Sequence, residues 1–218
     1  MNRQIAALLA LSSTVVAAPA PAEVELSFYT GFQEAVDSKA KGDDGQNDFD
    51  FTVDWEGKSA DMPPYYGFRA TWWRSERIGY GLEFNHAKVY ASDSDRKKHG
   101  FDDLELTDGM NLFTANVFYR WPGQWASGRI TPYVGGGLGF AMPHVDVERG
   151  DSDTFEYQVT GPAAIWVAGA SWELNENWAL FGEYKGSYSS HDIDLDNGGE
   201  METDITTNAF NIGVSYSF

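Results

Sequence analysis

The feature that most constrains this chain is the rhythm of its connections. Eight segments alternate apolar and polar residues at period two: 23–33, 65–74, 78–90, 110–121, 130–147, 157–174, 178–189 and 205–218. The connections between them alternate long and short. Residues 34–64, 91–109, 148–156 and 190–204 are long, polar and acidic, whereas 75–77, 122–129 and 175–177 are short and turn-like. A transmembrane barrel has this asymmetry, with short periplasmic turns and long extracellular loops. A soluble ligand-binding barrel has no reason for strict alternation and needs an apolar interior. Here the apolar faces, such as Ile78, Tyr80, Leu82 and Phe84, oppose faces carrying Arg69, Thr71, Glu83, Asn85, Glu183 and Lys185. The polarity is inside-out, with lipid outside and ion pairs inside. Segment 157–174 has no clear facing.

Beyond residue 22 no apolar run approaches the ~20 residues of a membrane helix, so strands must do any spanning. The predicted fold is all-β, an eight-stranded antiparallel transmembrane outer-membrane β-barrel of residues 23–218. Its termini are expected in the periplasm, and the chain is expected to act as a monomer in the cell outer membrane. Residues 1–22 read as a secretory signal peptide: Arg3, an apolar stretch over 5–18, then Ala20-Pro21-Ala22 as the cleavage pattern. Val214, Tyr216 and Phe218 give the alternating C-terminal end, closed by an aromatic, that outer-membrane insertion machinery reads. Trp72, Trp73, Trp121, Trp125, Trp172 and Trp178 gather beside the short turns, as a periplasmic interfacial belt would. The mean hydropathy of -0.41 fits such a barrel, because alternating strands average out. A formal charge of -18 argues against nucleic acid as a partner. The absence of cysteine removes disulfides, thiolate metal sites and Cys nucleophiles.

Several patterns invite chemistry. Gly135 to Gly139 is glycine-rich but is followed by neither a helix pattern nor the Lys-Ser/Thr of a phosphate loop, so small lumen-facing residues are the better reading. Asp192, Asp194 and Asp196 are spaced as in a calcium loop, but Asn197 and Thr203 stand where Gly and Glu are needed; an acidic hairpin tip is expected. His144, Asp146 and Glu148 fall on one strand face at period two and are candidate ligands for a divalent metal, against the plainer reading of a solvated polar rim. Glu83, Glu183 and Lys185 are lumen candidates for acid–base work, against the commoner role of structural ion pairs. The last strand holds no His, which disfavours a Ser–His hydrolase there.

Eight stretches carry a family likeness: Ser27-Phe28-Tyr29-Thr30-Gly31, Met62-Pro63-Pro64-Tyr65-Tyr66-Gly67, Gly109-Met110-Asn111-Leu112, Thr114-Ala115-Asn116-Val117-Phe118-Tyr119-Arg120-Trp121-Pro122-Gly123, Thr131-Pro132-Tyr133-Val134-Gly135, Pro143-His144-Val145-Asp146, Val159-Thr160-Gly161-Pro162 and Gly182-Glu183-Tyr184-Lys185. With these, nearly the whole of 23–218 resembles the lipid A oxidases that form 2-aminogluconate, which are small outer-membrane barrels. The Thr131–Gly135 stretch is shared with many nonenzymatic barrels; the Met62 and Pro143 stretches are narrower. The resemblance implies O₂-dependent oxidation of the proximal glucosamine of lipid A in the outer leaflet, with peroxide as by-product. It brings no catalytic set with it. Since side chains supply no easy electron acceptor, a metal at the rim would give His144, Asp146 and His86 a role.

A reaction on the lipid A sugar belongs at headgroup depth, near the extracellular rim. Counting about ten residues up from the periplasmic turns reaches His86 and His144. Even offset from Phe140 turns His144 toward lipopolysaccharide unless Pro143 introduces a bulge. The order of candidates is therefore His144 and Asp146, then His86 and Glu83, then Glu183 and Lys185. The alternative to an enzyme is a noncatalytic surface barrel whose acidic loops bind cations or lipopolysaccharide.

Overall fold

The computed structural model describes residues 23–106 and 109–218; the signal-peptide reading concerns residues outside these. Strand β1 (Glu23–Ala35) rises from the periplasmic side. The first extracellular excursion holds β2 (Ser38–Asp43), β3 (Asp48–Val53) and β4 (Trp55–Glu56). β5 (Tyr66–Trp73) descends and β6 (Ile78–His86) ascends. The second excursion holds β7 (Val89–Ala91), helix α1 (Asp93–His99) and β8 (Asp103–Leu106). β9 (Leu112–Arg120) descends and β10 (Ile130–Ala141) ascends. Outside lie β11 (His144–Arg149) and β12 (Ser152–Tyr157), before β13 (Gly161–Glu173) descends. β14 (Trp178–Leu195) and β15 (Gly199–Ser217) form the last hairpin.

The eight long strands pair in the order β1-β5-β6-β9-β10-β13-β14-β15, and β1 pairs back onto β15, so the sheet closes without an edge. Closure is what lets a sheet sit in lipid, where an unpaired backbone group costs several kcal/mol. The outward residues are apolar and exposed, among them Leu26, Phe28, Leu82, Leu138, Trp166, Leu180, Phe210 and Ile212. The lipid-facing band runs from Trp172 and Trp178 at the periplasmic turns to Pro162 and Tyr188, about ten residues along each strand, the length a bilayer requires. The expected eight-stranded barrel is therefore the observed one.

Three details differ from the sequence reading. Trp73 points into the lumen, buried, with the Arg120 guanidinium 3.9 Å from its ring centre. The ambiguous segment 157–174 is ambiguous for a reason: β13 is apolar on both faces, with Ala163, Ile165 and Val167 inside and Trp166 outside. Residues 130–147 are not one strand, because the ladder stops at Ala141 and His144 opens β11 in a separate sheet. Pro143, which cannot donate to a ladder, stands at the break.

The largest departure lies outside the membrane. The four long acidic stretches are not solvated loops. β14 and β15 run on past the lipid band as a hairpin ending at Asp196–Gly198, and β2 and β3 extend this sheet. A second, five-stranded sheet has the order β12-β11-β8-β7-β4. β3, β8 and the β14–β15 hairpin alternate acid or polar out and apolar in, and the apolar inner faces of the two sheets meet. Phe49, Phe51, Val53, Ala40, Ile193, Leu195 and Met201 from one sheet join Trp55, Val89, Leu104, Leu106, Val145 and Val147 from the other in one buried cluster. Phe101 seals it, 5.3 Å from Phe49 and 5.7 Å from Phe51 between ring centres. Each such side chain contributes about 1.5–3 kcal/mol of burial before entropy is subtracted. The result is a packed extracellular cap over the barrel mouth. α1 belongs to it: Ser92 accepts from the Asp95 amide at the N-cap, Gly100 ends the helix at positive φ, and His99 stacks on Phe51 at 3.8 Å.

Candidate functional site

The sequence candidates fall into three places at three heights. The lowest is halfway up the lumen. Strand alternation turns Tyr29, Arg69, Glu83, Asn116, Glu183, Lys185 and Asn211 inward, all buried, with Tyr133 partly so. Register sets Arg69 directly opposite Glu83. Arg69 donates to Glu83 at 2.8 Å and to both oxygens of Glu183 at 2.9 and 3.1 Å. Lys185 donates to Glu83 and to the Tyr29 hydroxyl. Tyr29 and Asn116 also donate to Glu83, at 2.6 and 2.9 Å; Tyr133 and Asn211 donate to Glu183, at 2.7 and 3.1 Å. Two cations thus balance two carboxylates, and all four carboxylate oxygens are hydrogen-bonded, while the buried side-chain oxygens of Asn116 and Asn211 have no partner among the described residues. Glu83, Glu183 and Lys185 do sit together in the lumen as expected, with each charge held by its neighbours. The arrangement suits an ionic plug. Small residues let the wall close around it: a Cβ at Gly137 or Gly139 of β10 would overlap Asn116 or the Phe113 carbonyl of β9.

The second place is a polar layer at the mouth, just above the lipid band. Gly109, at φ +91, and Asn111, at φ 43, turn the chain across the barrel top. This crossing touches three of the strand-end elements. The Gly109 carbonyl accepts from the His144 amide at 3.2 Å; the Met110 amide donates to Ala87 at 2.7 Å; the Asn111 carbonyl accepts from Met142 at 3.1 Å. The Asn111 side chain meets His86 Nδ1 at 3.1 Å, and the His86 ring stacks on Tyr66 at 5.0 Å. Met110 lies against Ser189, whose hydroxyl meets His191 Nε2 at 2.8 Å, while Thr160 meets His191 Nδ1 at 2.7 Å. Burial pushes the His191 pKa down to about 4, leaving the ring neutral at pH 7. A hydroxyl beside an imidazole is the start of a nucleophile–base pair. Here hydroxyls occupy both ring nitrogens and Met110 covers Ser189, so the group closes the mouth. Sequence reasoning placed His86 at the rim but missed Thr160, Ser189, Met110 and Asn111. The pair Gly109 and Asn111, both suited to left-handed backbone, was the available signal.

The third place is the outward face of the five-stranded sheet. His144 opens β11 there, opposite Tyr157, with Asp146 opposite Phe155 and Glu148 opposite Asp153. His144 turns outward, as expected, but is buried beneath two rings: Phe155 at 4.3 Å and Tyr157 at 4.7 Å, both edge-to-face. His144, Asp146 and Glu148 do share one strand face, as their spacing predicts. Among the described residues no group of three His, Cys, Asp or Glu side chains converges as a metal site. Along the strand the outer pair, His144 and Glu148, stand roughly 13 Å apart. Partial burial and the carboxylates of Asp102, Asp153, Asp103 and Asp146 raise the Glu148 pKa. The Asp192–Asp196 stretch is likewise an acidic hairpin tip, where Asp192 faces Glu202 and Asp194 faces Glu200 across the ladder. Lys41 pairs with Glu202 at 2.5 Å.

Comparison with known proteins agrees with this architecture. The family model for the outer membrane protein beta-barrel domain matches residues 6–218. No curated protein is detectably similar in sequence. Among solved structures, Neisserial surface protein A is similar over 93% of this chain and 100% of its own, at 14% identity and TM-score 0.52. Outer membrane protein AlkL, determined in lipid bilayers, is similar over 100% of this chain and 97% of its own, at 17% identity and TM-score 0.52. At such identities the likeness speaks to fold alone. With the matched family spanning nearly all 218 residues and the closed, lipid-faced barrel in view, the chain belongs to the outer membrane protein β-barrel domain family and resides in the outer membrane.

Proposed function

We propose that this protein is a noncatalytic surface barrel that engages lipopolysaccharide, with lipid A as the part it touches. The observation that carries this reading is closure at two levels. The ionic plug fills the lumen and the cap fills the mouth, so the remaining working surface is the cap exterior, which stands in the lipopolysaccharide headgroup layer. That exterior is acidic, and so is lipid A, so divalent cations bridge the two. Carboxylates such as Asp146, Glu148 and Asp153 supply the protein side of the bridge. Titration of the whole chain in neutral detergent with lipid A, and separately with phosphatidylglycerol, tests it. Saturable, magnesium-dependent binding selective for lipid A is expected; equal response to both lipids counts against it.

Oxidation of the proximal glucosamine of lipid A to 2-aminogluconate is the second reading. One observation favours it. Three of the stretches that resemble lipid A oxidases, at Gly109–Leu112, Pro143–Asp146 and Val159–Pro162, meet at the mouth layer beside His86, His144 and His191. Mass spectrometry of lipid A from cells with and without the chain separates the two readings. A gain of one oxygen on the proximal sugar supports oxidation; unchanged lipid A supports binding alone.

A further inference from the structure

The lipid-facing surface does not stop at the top of the membrane on every side. On the β10–β13 side it is topped by Phe140 and Pro162, which face each other across the ladder. From Pro162 the chain runs back past Gly161 and buried Thr160 to Val159, Tyr157 and Phe155, which face out at every second residue. These three are 67%, 55% and 65% exposed. Phe155 and Tyr157 belong to β12, the outermost strand of the cap sheet. Exposed apolar residues in a contiguous row mark a contact surface. The row is held rigid. His144 lies edge-to-face beneath both rings. β12 is stitched to the β14 extension by side chains: Gln158 takes the Asp194 amide at 3.0 Å and donates to its carbonyl at 2.8 Å, and Thr154 takes the Asp196 amide at 2.9 Å.

Height decides what the row meets. At about 3.3 Å per residue and a tilt near 40°, Val159 and Tyr157 stand roughly 8–12 Å above Pro162. That is above acyl chains and level with a sugar headgroup. A carboxylate borders the rings, with Asp146 opposite Phe155. Aromatic rings beside a carboxylate match the alternating apolar and hydroxyl faces of a hexosamine.

We propose that Phe155, Tyr157 and Val159 form a ledge that receives the glucosamine disaccharide of lipid A from the adjoining leaflet. The ledge rests on the lipopolysaccharide-binding reading above and names the surface that performs it. Its occupant follows from continuity, since the row begins where the lipid-facing band ends.

The test is the lipid A titration repeated with the double variant Phe155→Ser, Tyr157→Ser and with Tyr157→Ser alone, each checked for native heat-modifiable migration. The exposed positions leave the barrel intact. The double variant is expected to weaken lipid A binding roughly tenfold or more, the single variant less, with the response to phosphatidylglycerol unchanged. Lipid A binding at native strength in either folded variant overturns the ledge and leaves the broader reading standing. No selective binding by the unaltered chain overturns both. Variants that bind lipid A normally but lose a native dimer would assign the row to a second copy, and so overturn the ledge as well.

Discussion

Arg69 is the keystone of the lumen, and its removal has a calculable cost. It donates to Glu83 at 2.8 Å and to Glu183 at 2.9 and 3.1 Å, with both carboxylates almost wholly buried. In Arg69→Met, Glu83 keeps Lys185, Tyr29 and Asn116 as donors. Glu183 keeps only the neutral Tyr133 and Asn211 among its described donors. A buried carboxylate without a cation costs about 3–5 kcal/mol. Adding Glu183→Gln removes that charge while keeping the shape, so the double variant should regain about 1–3 kcal/mol. The assay is urea unfolding in lipid vesicles, followed by fluorescence of the eight tryptophans. A single-variant loss below about 1 kcal/mol, or a double variant no more stable than the single, would refute the plug as described.

Other consequences follow from the cap. His191 has a folded pKa near 4 against 6.5 for the free side chain, so it stabilises the fold fully above pH 6.5. That contribution, about 3 kcal/mol, is lost as pH falls from 6.5 to 4, and His191→Gln should flatten the pH dependence of unfolding across that window. Phe51→Ala opens the buried cap cluster and should speed proteolysis between residues 38 and 56, while heat-modifiable migration of the barrel persists; equal cleavage rates would deny the cap a packed core. The facing pairs Asp192–Glu202 and Asp194–Glu200 repel, so magnesium should protect the cap from protease and chelation should expose it, whereas identical digestion with and without EDTA would remove cations from the account.

The barrel was legible because lipid demands it. Leu180, Tyr184 and Tyr188, or Phe210 and Ile212, must share one face, and short turns fix the register between neighbours. The cap was hidden by its own acids. Asp48 to Val53 alternates acid or Thr with Phe49, Phe51 and Val53, and Asp103 to Leu106 does the same with leucines. Read for charge these are loops; read for period two they are strands of a second core. The lumen candidates Glu83, Glu183 and Lys185 were found because a charge on a spanning strand has to turn inward. The rim candidates fared differently. His144 faces outward with Asp146 and Glu148, as period two requires, but it lies beneath two aromatic rings. Phe155 and Tyr157, which cover it, come from the next strand, and only pairing brings them there.

The most direct test of the central claim is native mass spectrometry of the whole chain drawn from outer membranes into a mild detergent. The account predicts that the barrel retains lipid A of unaltered mass, and that this lipid is lost when magnesium is chelated. A barrel that carries only phospholipid, or one whose lipid A has gained an oxygen, would contradict it.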